Sequence, residues 1–93
     1  MLDRPWSLGS QVALRQEPFG ALLYDYRSRR LSFLKHPLLV AAVEHLATSP
    51  TARAACLAAG ADDDQVAVLA RSLATLARTG MIEEPAMTGR GTR

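Results

Sequence analysis

The stretch QVALRQEPFGALLYDYRSRRLSFLK, residues 11–35, decides the fold. It opens on Gln11-Val12-Ala13-Leu14-Arg15, where Val12 and Leu14 alternate with less apolar neighbours, as in a half-buried strand. Pro18 interrupts the run, because it carries no N–H and restrains Glu17 to an extended shape. Phe19 to Tyr26 then collects Phe19, Leu22, Leu23, Tyr24 and Tyr26, a set that favours strand. Asp25-Tyr26-Arg27-Ser28-Arg29 is polar enough to turn, and Leu31 to Lys35 reads as a third short strand. Three strands with short connections predict an antiparallel meander.

Downstream the period changes. Pro37 suits a first helical position, where its missing N–H does no harm. Leu38, Leu39, Ala42, Val43 and Leu46 then recur at helical spacing. Ser49-Pro50 reads as the cap and first residue of a second helix that runs to Ala59 and closes on Gly60. Asp62, Asp63 and Asp64 open a third helix, where carboxylates suit the positive end of the dipole. Val66, Leu69, Leu73 and Leu76 form its apolar stripe. Gly80 ends it, and Met81 and Ile82 are expected to pack back on the core. Strands followed by helices make the fold class α+β: a three-stranded antiparallel sheet and then three helices, in a winged-helix-like arrangement. One domain is expected over residues 1–84, with 85–93 as a disordered tail of small and polar residues.

Composition agrees with a single small domain. The 93 residues are too few for two ordinary cores. At 48% hydrophobic and 22% charged the balance is globular. A pI near 9.2 suggests nucleic acid, until the charges are placed. Arg90 and Arg93 lie in the expected tail, which holds no acid; without them nine basic residues meet nine acidic ones. A neutral body gives no support to a strongly basic DNA binder. One cysteine, Cys56, forms no internal disulfide. No run approaches the roughly 18 apolar residues of a membrane helix, and Met1 to Pro5 has no apolar core after it. The cytoplasm is therefore the expected compartment, with no membrane partner.

A search for chemistry finds little. His36 adjoins Pro37 and reads as a turn or capping residue, while His45 falls beside Glu44 on the first helix. Cys56 sits among alanines as a small buried hydrophobe. One cysteine and two histidines show no zinc spacing. Asp62, Asp63 and Asp64 point roughly 100° apart on a helix, which suits capping better than a metal. The glycines are dispersed, without a phosphate loop. No catalytic set emerges, so no enzyme, metal or cofactor is expected. The alternative raised by a winged helix is a DNA-binding regulator. Its third helix would present three carboxylates to phosphate, which opposes the usual docking mode. Arg27, Arg29, Arg30 and Lys35 form the main basic feature. It is either a solvated turn that blunts a sheet edge or an attraction for an acidic partner.

One string is more telling: Arg15-x-Glu17-x-Phe19-Gly20-x-Leu22-x-Tyr24. With Trp6-x-Leu8, Val12, Leu23, Asp25 and Arg30-Leu31-x-Phe33-Leu34, it resembles the mycofactocin-system peptide-binding chaperones (MftB), a PqqD-like family. The similarity runs to about Glu84. The resemblance implies a PqqD-type RiPP recognition element that binds the leader of the mycofactocin precursor peptide. It also implies presentation of that peptide to a radical S-adenosylmethionine maturase, which performs the chemistry. In such domains the leader adds as a strand along the third strand, with the third helix as the other wall. Carried over by position, the strand wall is Arg30, Leu31, Ser32, Phe33, Leu34 and Lys35. The helix wall is Val68, Arg71, Ser72 and Thr75. Leu31 and Phe33 are equally readable as ordinary sheet core. Arg15, Glu17, Phe19, Gly20 and Tyr24 either maintain the fold or form the docking surface for the maturase. The resemblance also allows a homodimer, because an exposed edge strand pairs readily with a second copy.

Overall fold

A computed structural model describes residues 1–85; from residue 86 the expected tail lies outside the described residues. The elements, in chain order, are β1 (Ser7–Leu8), β2 (Val12–Glu17), β3 (Gly20–Asp25) and β4 (Arg30–Leu34), then α1 (Pro37–His45), α2 (Ala52–Ala58), α3 (Asp63–Arg78) and β5 (Ile82–Glu83). β2, β3 and β4 form an antiparallel sheet in that order. The α+β reading therefore holds, with its three-stranded sheet and three helices.

Pro18 and Phe19 are the two-residue turn between β2 and β3, with Glu17 opposite Gly20. Register follows from that turn. On β3, Ala21, Leu23 and Asp25 are buried, while Leu22 and Tyr24 face the other way. On β4, Leu34 is buried and Leu31 and Phe33 are exposed. The inner face packs against α1, and Leu39, Val40, Ala42 and Val43 of that helix share one core with Ala52, Ala55 and Cys56 of α2 and Val66, Leu69, Leu73 and Leu76 of α3. Each fully buried Leu or Ile contributes about 1.5–3 kcal/mol over an exposed one. Met81 and Ile82 join this core.

The helix ends are satisfied locally. The His36 ring nitrogen Nδ1 accepts from Leu38 N–H and caps α1. Asp62 and Gln65 form a reciprocal capping box on α3. The second helix starts two residues later than Ser49-Pro50 suggests. A 3₁₀ turn, Leu46–Thr48, takes up the approach, and Thr51 accepts from Ala54 N–H as the cap. Ala52 and Arg53 N–H donate to the carbonyls of Arg4 and Leu2. The N-terminal segment thereby satisfies donors that α2 leaves open. It then pairs with the end of the described chain, Ser7 opposite Glu83 and Leu8 opposite Ile82. Among the described residues, no helix is long and apolar enough to cross a membrane.

Gly20 is the tightest backbone position. Its φ is +144°, and a Cβ there would sit 2.0 Å from the Leu34 carbonyl oxygen. Gly60 also has a positive φ, +100°, but an added Cβ meets nothing within 4 Å. Gly60→Ala is expected to cost about 1–2 kcal/mol, from backbone conformation alone. Gly20→Ala is expected to cost about 3 kcal/mol or more, because β4 must move. Urea unfolding of the two variants measures the difference; equal costs would contradict the close approach.

Candidate functional site

β4 is an edge strand, and its free side can be worked out from the ladder. Tyr26 N–H donates to the Gln11 carbonyl across β2. Backbone direction alternates along a strand. Leu22 and Tyr24 therefore bond toward β2, and Ala21, Leu23 and Asp25 toward β4. Their opposites are Leu34, Ser32 and Arg30. This leaves the N–H and C=O groups of Leu31 and Phe33 directed at the open edge.

An apolar cleft of about 250 Å³ lies between α1 and α3. It opens at His36, two residues after β4 ends, and is lined by Leu38, Leu39, Asp64, Gln65, Val68, Leu69 and Ser72. The volume falls below the usual small-molecule range of roughly 300–1,000 Å³, and suits side chains of a bound chain. Val68 is 61% exposed although it is apolar.

The positions nominated from sequence divide in place. Val68 and Ser72 line the cleft. Arg71 lies some 60° round the helix from Val68, on the side away from Ser72, where it borders Met1, Leu2 and Asp3. Thr75 is exposed, accepts from Arg78 and is absent from the cleft wall. On β4, Arg30 is exposed, Ser32 is half-buried and Leu34 is core; Lys35, just after the strand, is exposed. Leu31 and Phe33 are 52% and 58% exposed, so neither is sheet core. Cleft residues that the sequence reading did not nominate are His36, Leu38, Leu39, Asp64, Gln65 and Leu69. The available signal was Leu38-Leu39, one leucine more than the buried stripe of α1 needs.

The motif string is mostly one surface. Arg15 and Glu17 pair at 2.9 Å, an exposed contact worth about 1 kcal/mol at most. Phe19 meets Phe33 edge-on at 5.6 Å, and Tyr24 meets Tyr26 at 4.7 Å. Gly20 is the exception; its role is the close approach to Leu34.

The basic turn after β3 hangs on Asp25. Burial acts to raise this carboxyl, but N–H donation from Arg27 and Ser28, the Ser28 hydroxyl and the Arg27 charge outweigh it and hold the group below its ordinary value. Arg29 closes the turn at a φ of +63°. Elsewhere, burial raises the Cys56 thiol above its usual range, with Arg53 acting the other way. No group of three His, Cys, Asp or Glu among the described residues is placed to hold a metal.

A free strand edge, with an apolar cleft that begins at His36 two residues after it, suits a domain that holds an extended chain. Comparison with known proteins agrees. The family model described as "Peptide chaperone MftB family" matches residues 5–83. The Peptide chaperone MftB of Mycobacterium ulcerans is 50% identical over 80 residues, 86% of this chain and 73% of that protein. The Mycolicibacterium smegmatis protein of that name is 49% identical, over 86% and 78%. That of Mycobacterium tuberculosis is 48% identical, over 86% and 73%. The chain belongs to the peptide chaperone MftB family. No solved structure matches it.

Asp25 gives a pH-dependent expectation. Its lowered pKa means that the folded chain takes up the proton less readily than the unfolded chain. The stabilisation is present at neutral pH and is lost as pH falls through the folded-state value. Asp25→Asn should unfold at lower urea than the parent at pH 7, and the gap should start to narrow only as pH falls below the ordinary carboxylate value of about 4. A gap that stays constant below that value would contradict the assignment.

Proposed function

We propose that the chain binds the leader of the mycofactocin precursor peptide as an added strand on β4 and presents it to a radical S-adenosylmethionine maturase. The observation that carries this reading is the pair of outward-facing backbone positions on β4, Leu31 and Phe33; the cleft that contains Val68 and Ser72 has His36, two residues after β4 ends, on its wall. Each backbone hydrogen bond to an incoming strand contributes about 0.5–1.5 kcal/mol net. Selectivity comes from side chains: an apolar residue of the leader enters between Leu38, Leu39, Val68 and Leu69, while Arg30 and Lys35 flank the strand. Arg71 and Thr75, placed away from the cleft, are left outside the contact. The chain contributes no reacting group in this account. It raises the precursor's effective concentration at the enzyme, to roughly millimolar for short flexible tethers. Its family relatives are named as peptide chaperones.

Phe33→Pro tests this with little damage to the sheet. Proline is tolerated on an edge strand where its missing N–H faces solvent, and here the bonds of β4 to β3 come from Arg30, Ser32 and Leu34. Calorimetry with the intact precursor should show at least about tenfold weaker binding, or 1.4 kcal/mol. Phe33→Ala, which keeps the donor, should lose less. A folded Phe33→Pro variant with the parent's affinity would sink the added-strand reading.

A further inference from the structure

The sheet has a second surface, on the side away from the helices. Leu22, Tyr24, Tyr26, Leu31, Phe33 and Phe19 lie together there. Tyr26 is 61% exposed. Part of this face is an open hollow of about 550 Å³, bounded by Ala13, Arg15, Leu22, Tyr24, Tyr26 and Leu31. Contiguous apolar surface of this kind marks an interaction site more often than it is left open.

The rim states which partner fits. Arg27, Arg29 and Arg30 stand at one end of β4 and Lys35 at the other. None of these four makes an ion pair among the described residues. The chain's own acidic cluster is elsewhere, at the start of α3. A second copy laid face to face would set basic rim against basic rim, which is repulsive.

We propose that this outer face docks a partner protein through a patch that is apolar at its centre and carries carboxylates at its rim. Resting on the function proposed above, that partner is the maturase. The two contacts then coexist. The peptide uses the edge of β4 and the cleft on the helix side, and the enzyme uses the opposite face. β4 belongs to both, so the bound segment runs along the border of the docked enzyme.

The test titrates the full chain separately with the maturase and with the precursor peptide. Two variants are used, Tyr26→Glu and the double variant Arg27→Glu/Arg29→Glu, both on exposed turn residues. Each should weaken maturase binding by about tenfold or more. Precursor affinity should stay within about twofold, as for independent sites. The rim variant should also lose the salt dependence of association that the parent shows. If the parent binds the maturase and both variants bind it equally well, the docking face is overturned while the peptide reading stands. If the parent binds the peptide but no maturase, both the docking face and the presentation step fail. A parent dimer that Tyr26→Glu dissociates would assign the face to a second copy, and would also overturn the proposal.

Discussion

Register at the Pro18-Phe19 turn governs the molecule. With Glu17 opposite Gly20, the alternation of β3 sends Ala21, Leu23 and Asp25 inward, and the alternation of β4 sends Leu34 with them. A slip of one residue would exchange every inner side chain for an outer one. Gly20 helps to hold this arrangement, since its backbone lies where only a residue without Cβ fits against Leu34. From the same register come the core, the aromatic outer face, and the two backbone positions left open on β4.

Much of this was legible in the sequence because it rests on local chemistry. The meander followed from apolar alternation broken at Pro18, and α3 followed from its stripe and its opening acids. Asp62 does cap that helix, and Met81 and Ile82 do return to the core. Other features had no local signal. β1 and β5 are two residues each, too short to show a period, and exist only because the N-terminal segment crosses α2 to reach Ile82. Ser49-Pro50 looks like a helix start, but Thr51 takes the cap once a 3₁₀ turn has ended α1.

The binding surface was legible in part for a similar reason. Alternation says that Leu31 and Phe33 share a face, without saying whether that face meets the helices. The pairing with Leu22 and Tyr24, opposite the small, buried Ala21, settles it. On α3, which the resemblance implied as a wall, position beside the apolar stripe grouped Arg71 and Thr75 with Val68 and Ser72. Only the packing of α1 against α3 shows which part of that arc borders the cleft.

Charge and apolar surface are divided between two sides of one sheet. On the helix side of the sheet a cleft between α1 and α3 has Asp64 on its wall; the other side is an aromatic face with cations on its rim. That division suits a chain that holds a peptide while it touches a second protein. Amide hydrogen exchange read residue by residue tests the central claim most directly. In the free chain, the amides of Ser32 and Leu34 should be protected and those of Leu31 and Phe33 should exchange fast. Saturating precursor peptide should slow Leu31 and Phe33. If both remain fast in the complex, no strand has been added to β4 and the account is wrong.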